Sequence, residues 1–288
     1  MNAFDYRAPR SVDEALAILR EHGEDARVIA GGTALVTMMR QRLVRPGCLV
    51  SLREVPGLDR IEAANGTLRL GALVTHRDAE TSPLVRERIP VLAETFRRVA
   101  TVRIRHMATL GGALAHADPN QDPPVTLLAL GARVAIRGAG GPRELPIGEF
   151  FRDYYESALE PGELVTGVSV PLPAAGSGAS FVKFLPRTAD DYATVAVAAI
   201  VTLDGDRCRE ARIALGSVGV TPLRGRAAEA LLSGERIGQR LLDAAGEAVK
   251  AEVDPLSDHR GSAAYKREMA AVMVKRALTQ AWEAARRP

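Results

Sequence analysis

Two glycine pairs set beside threonines, one in Val28-Ile29-Ala30-Gly31-Gly32-Thr33-Ala34-Leu35 and one in Ala108-Thr109-Leu110-Gly111-Gly112, constrain this chain more than any other feature. A Gly-Gly step lets the backbone bend sharply, turn successive N–H groups toward one point and approach a ligand with no Cβ in the way. Either loop alone reads as an ordinary turn. Two of them, far apart in sequence, suit a cofactor that carries two phosphates.

Other chemistries are missing. There is no GxxxxGK phosphate loop, no GxGxxG after a strand, no GxSxG and no HExxH. The five histidines never take metal-ligand spacing, and Cys48 and Cys208 are too far apart to form a CxxC, so this chain holds no iron–sulfur cluster of its own. His116, Asp118 and Asp122 lie close in sequence, but a solvated or cofactor-adjacent loop suits them better than a metal site. A net charge of +3, spread without a Lys/Arg block, excludes nucleic acid as the favoured partner. Apolar runs are short and interrupted, so no transmembrane segment is expected. The N-terminal stretch has no apolar leader core, which makes a cytoplasmic location the expectation.

At 288 residues, two domains are expected. Ser11-Val12-Asp13-Glu14 reads as a capping box that opens a helix ended by Gly23. A strand over 27–30 then delivers the first loop, a helix runs through Met39, and a strand covers 48–52. Further strands are expected at 67–72, 132–137, 144–147 and 164–170, with helices at 91–100 and 123–130. Arg103-Ile104-Arg105 and Thr109-Leu110 read as extended. His76 opens a short helix on a polar stretch and is expected at the surface or in a capping role. Pro173 to Gly178 is the best linker. Beyond it, strands at 180–185, 193–203 and 211–217, the last two joined by a hairpin at Asp204-Gly205, precede helices at 227–232, 240–249 and 265–285. A three-stranded sheet covered by helices is the economical reading.

Several side chains have ordinary readings. Asp122 caps the helix that starts at Pro123, Lys183 faces solvent from a strand it shares with Phe181 and Phe184, and Tyr192 is a half-buried aromatic. Arg103 and Arg105, on one side of a strand, reach phosphate or water.

The set Ala30-Gly31-Gly32-Thr33, Ile104-Arg105-His106-Met107-Ala108-Thr109-Leu110-Gly111-Gly112 and Asp122-Pro123-Pro124 resembles the FAD-binding medium subunit of the molybdenum hydroxylases, the family of aerobic carbon monoxide dehydrogenase and the flavin part of xanthine dehydrogenase. The likeness covers nearly the whole chain. It implies an α+β architecture: a two-subdomain FAD-binding fold of the PCMH type over residues 1–175, divided near 55, and a C-terminal domain over 176–288. It implies that Val28, Ile29, Ala30, Gly31, Gly32, Thr33, Ala34 and Leu35 form one binding loop. Ala108, Thr109, Leu110, Gly111 and Gly112 form the other. Asp122 would accept from the sugar-alcohol chain, Val165 would offer a backbone contact near the ring, Lys183 would stand by the pyrimidine edge, and Tyr192 would pack on the isoalloxazine.

The same resemblance implies partners: a small subunit with [2Fe–2S] clusters, a large molybdopterin subunit, and an external acceptor such as a quinone, NAD or oxygen. Flavin is then the redox centre, and no side chain of this chain need be an acid or base in substrate oxidation. Two loop positions depart from the family, with Ala34 and Ala113 standing where acidic or amide side chains are frequent. The cysteine insertion of the 4-hydroxybenzoyl-CoA reductase branch is absent. A stand-alone flavin reductase or oxidase of the same fold, and a scaffold without flavin, are the alternatives.

Overall fold

The structure, a computed structural model, describes residues 3–185 and 187–287; Pro186, at the head of the expected connection 186–192, lies outside them. The chain begins with β1 (Asp5–Arg7), α1 (Val12–His22), β2 (Ala26–Ile29), α2 (Leu35–Arg40) and β3 (Cys48–Ser51), and the three strands form a parallel sheet in the order β1-β3-β2. The Ser11 hydroxyl accepts from the Glu14 N–H as the capping box predicts. The Glu14 carboxylate reaches one residue further back than expected, to the Arg10 N–H. Ala15, Leu16 and Leu19 of α1 are buried against Cys48 and Val50 of the sheet, the apolar stripe that i, i+1, i+4 spacing gives a helix.

A second sheet follows, with α3 to α8 inserted into it. It starts with β4 (Ile61–Ala64) and β5 (Thr67–Gly71). Then come α3 (His76–Thr81), α4 (Pro83–Arg88), α5 (Pro90–Arg97), α6 (Val102–Met107), α7 (Leu110–His116) and α8 (Asp122–Leu130). The hairpin β6 (Arg133–Gly138) and β7 (Gly141–Pro146), a small ribbon of β8 (Phe151–Asp153) and β9 (Glu156–Ser157), and β10 (Leu164–Pro171) complete it. The five-stranded order is β4-β5-β10-β6-β7, antiparallel throughout.

The segment 103–110 corrects the sequence reading. Arg103-Ile104-Arg105 and Leu110 are helical, while Ala108 and Thr109 between the two helices are extended, Thr109 bridging to Thr75; Thr101 and Thr109 are N-caps whose side chains accept from the Ile104 and Gly112 N–H groups. A threonine oxygen that takes an otherwise orphaned amide favours a helix start, and here it overrides the glycines that follow Thr109.

The last part holds β11 (Ser177–Phe184), β12 (Val195–Asp204), β13 (Arg207–Gly216) and the two-residue β14 (Leu223–Arg224), in that spatial order and antiparallel, so the expected three-stranded sheet gains a short fourth strand. Then come α9 (Arg226–Leu232), α10 (Gln239–Ala248) and α11 (Ala263–Ala285). Both faces of this sheet are covered. Val195, Val197, Ala199 and Val201 of β12 pack with α10 and α11, whereas Ala196, Ala198 and Ile200 belong to the core that also contains Val125 of α8 and Phe96 of α5. Among the described residues no helix is long and apolar enough to cross a membrane.

A dinucleotide-sized cleft between the glycine loops

The first loop leaves β2 at Ile29 and enters α2 at Leu35. Gly32 sits at φ +71°, a left-handed conformation that a side chain would strain. Gly31 has no room for one at all: a Cβ there would lie 1.8 Å from the Met107 carbonyl oxygen. The two loops, almost 80 residues apart in sequence, therefore meet through backbone, Gly31 against the end of α6 and Ala30 facing Gly112 across 3.9 Å to the position a Cβ would take there.

The second loop is pinned from the other side. The Leu110 N–H donates to the Val74 carbonyl and the Gly111 N–H to Ala72, while the His76 N–H donates to Ala108. The Thr109 hydroxyl accepts from Gly112, and the Thr109 carbonyl accepts from Ala113. The amides of residues 110–113 are thus already used inside the protein. By contrast the N–H groups of Gly31, Gly32, Thr33, Ala34 and Leu35 have no acceptor among the described residues. Free donors of this kind are what a diphosphate requires, and they belong to one loop, not to both.

Between the loops lies a cavity of about 660 Å³, within the size range of small-molecule sites. Residues 28–35 line it, as do Ala108, Thr109, Gly111, Gly112, Val165 and Tyr192. Leu110 points into the core instead and is fully buried. Tyr192 is 42% exposed, with the Arg260 guanidinium 5.5 Å from its ring centre; burial of its hydroxyl edge and nearby Asp118 push its pKa up. His116 also lines the cavity, its ring 5.2 Å from that of Tyr155.

Asp122 and Lys183 do not line the cavity, and neither ordinary reading describes them. The N-cap of α8 is Gln121, with no side-chain cap bond, and Asp122 is the first helical residue. Lys183 is buried at 8% exposure because α8 and α5 cover its side of the sheet. Its ammonium donates to Asp122 Oδ2 at 2.7 Å and to the Arg98 carbonyl at 3.0 Å. Burial pushes the Asp122 carboxyl up to about 6, with Lys183 pulling the other way. The two charges pair one layer behind the cleft, with Asp122 Oδ1 buried and without a partner among the described residues.

Arg105 is a further correction. It does not approach the cavity: it donates to Glu80 Oε2 at 2.8 Å and to the carbonyls of Val99 and Ala100, which leaves the Glu80 carboxyl below its ordinary range despite burial. His76, expected at the surface or in a capping role, is buried, caps nothing with its ring nitrogens and faces the cleft. The sequence showed only that His76 opens a short helix; the structure adds the Thr75-Asp78 capping box that starts it.

The donors and space fit a flavin dinucleotide, and comparison with known proteins agrees. Residues 2–173 match the family model described as the FAD binding domain in molybdopterin dehydrogenase, and residues 180–281 match the CO dehydrogenase flavoprotein C-terminal domain. The chain is 37% identical over 279 residues to the carbon monoxide dehydrogenase medium chain of Afipia carboxidovorans, covering 97% of this chain and 96% of that one. It is 39% identical to the 6-hydroxypseudooxynicotine dehydrogenase complex subunit alpha of Paenarthrobacter nicotinovorans, covering 99% and 96%. A solved carbon monoxide dehydrogenase from Hydrogenophaga pseudoflava contains a chain that superposes with a TM-score of 0.95 at 39% identity, with 98% of each chain covered. Glycine loops, fold and whole-length similarity coincide, and the chain belongs to the FAD-binding medium subunits of the molybdenum hydroxylases.

Proposed function

We propose that this chain carries electrons from [2Fe–2S] clusters of a small partner subunit to an external acceptor, through FAD held between its glycine loops, while a large molybdopterin subunit oxidises the substrate. The observation that carries the reading is the junction at Gly31, where backbone contact with Met107 sets five free amides on a cavity walled by the second loop. When bound, FAD supplies the ability to accept electrons singly and release them as a pair. The protein's own work is binding and exclusion of water. Residues 31–35 would hold the diphosphate, Thr109 and Gly112 would wall it, and Val165 and Tyr192 would border the ring.

Asp122 and Lys183 act in this reading by bracing α8 against β11 and not by touching the ring. Residues 1–175 form the FAD-binding domain, with subdomains meeting near residue 55, and 176–288 form the C-terminal domain. Two buried cysteines without a disulfide are consistent with the cytoplasm. The acceptor is a quinone, NAD or oxygen.

The test is purification from the native host together with whatever chains accompany it. A yellow complex with one FAD per copy of this chain, and its loss in Gly31→Val, is the expected outcome. Undiminished FAD in that variant would remove the cleft from consideration, and a colourless wild-type protein would leave only a scaffold role.

A further inference from the structure

The mutual bonding of α8 and β11, and of Arg105 and Glu80, leaves few buried polar atoms near the cleft unaccounted for. Of the buried side chains with an unpartnered nitrogen or oxygen, two line the cavity among the described residues, His76 and Gln121. Gln121 already donates its amide to the Ala113 carbonyl at 3.0 Å. His76 is different: it is 4% exposed, and neither Nδ1 nor Nε2 has a partner. A histidine so placed calls for an explanation, since buried polar groups in native folds are almost always bonded.

The ring cannot swing out to water. The His76 N–H donates to the Ala108 carbonyl at 2.9 Å, and Thr75 forms a reciprocal capping box with Asp78 and an isolated bridge with Thr109. One side of the ring rests on Phe96, with centroids 5.2 Å apart. Arg105, committed to Glu80, lies close enough to disfavour a charged imidazole. The ring is therefore neutral at ordinary pH, with one donor and one acceptor nitrogen, and it meets the cavity beside the junction of the two loops.

We propose that His76 is a cofactor-binding residue whose imidazole makes, with an oxygen of the bound flavin dinucleotide, the hydrogen bond that the protein itself does not provide. The inference rests on the cleft being the FAD site. It implies that the flavin-free protein carries an unsatisfied group, which binding relieves, so His76 works against the empty fold and for the filled one. That opposition separates it from a packing role.

The test compares wild type with His76→Leu and His76→Gln in the complex as isolated, stripped of flavin and titrated with FAD. Removing a buried orphan in favour of an apolar group of similar size is neutral or stabilising. The Leu variant is therefore expected to melt, without flavin, at or above the wild-type temperature, yet to bind FAD about tenfold more weakly, which corresponds to ~1.4 kcal/mol. The Gln variant, whose amide keeps a donor and an acceptor, is expected to recover most of that loss.

Leu binding FAD within twofold of wild type would overturn the inference. So would a flavin-free Leu variant that melts earlier than wild type or fails to fold, because the imidazole would then be a packing element. Failure of wild type itself to bind FAD, or full binding by Gly31→Val, would overturn the site assignment instead.

Discussion

The Lys183 ammonium lies 2.7 Å from Asp122 Oδ2, and the two side chains are 2% and 4% exposed, one on a strand of the C-terminal sheet and the other at the first turn of the helix that follows the second glycine loop. An ion pair this deep adds little net stability against an apolar pair, but losing one partner leaves an uncompensated charge. Lys183→Met is expected to cost about 3–5 kcal/mol at pH 8, read as a shift in urea midpoint. The folded carboxyl titrates at about 6 even with its lysine, above its ordinary value of 3.8. Folded protein therefore keeps the Asp122 proton where the unfolded chain has lost it, and the penalty in the Met variant grows as pH rises through 6. At pH 5 it should be clearly smaller.

His76 predicts the opposite slope. Burial, then Arg105, lowers its pKa to about 4 from 6.5, so the unfolded chain binds a proton in that window that the folded chain refuses. The stability linked to this group is complete above 6.5 and lost as pH falls to 4. Relative to His76→Leu, flavin-free wild type should lose about 3 kcal/mol between pH 6.5 and 4. A constant difference between the two across that range, by denaturant titration, would show the imidazole to be solvated.

Arg105 holds more than a partner charge. Besides Glu80 it binds the Val99 and Ala100 carbonyls at 2.9 Å each, and Ala100 has φ +39°, an unfavourable conformation for a residue with a Cβ. Arg105→Met should destabilise the fold by about 3 kcal/mol, measured by thermal melting. FAD affinity should fall with it, because Ala100 and Ile104 line the cavity.

Thr109 is the cap on which the second loop turns. Thr109→Val keeps the shape and loses the bond to Gly112, with an expected cost of about 1 kcal/mol. Because the loop amides are bonded elsewhere, FAD affinity should change less in this variant than in Gly31→Val. An equal loss in both would argue that the second loop's amides contact the diphosphate directly.

How far the sequence was legible follows from where its signals were local. The α1 cap, the bend at Gly31-Gly32 and the Asp204-Gly205 hairpin each act within a few residues and were legible, whereas Gly111-Gly112 lies inside α7 with its amides bonded within the protein. Residues 103–105 misled because Arg103-Ile104-Arg105 alternates like a strand while the deciding group is the threonine hydroxyl at the helix start. Lys183 stands between Phe181 and Phe184 in β11 and looked solvated, although it shares its side of the strand with the buried Phe181. Period-two patterning marks a water-facing side only when one side is wet, and here helices cover both. His76 had no readable signal, since its burial depends on Phe96 and Ala108, residues brought to it by the fold.

The alternating side chains of β12 lock into separate cores on either side of it. Such a strand acts as a shared keel: the helices behind it and the flavin-binding half in front cannot loosen independently, since detaching either strips one flank of the same ten residues. Equilibrium denaturation should therefore pass through one cooperative step for the two together. A protease able to nick the 172–176 connection, which is shorter than the expected linker because Ser177 and Gly178 already belong to β11, would leave its fragments clasped.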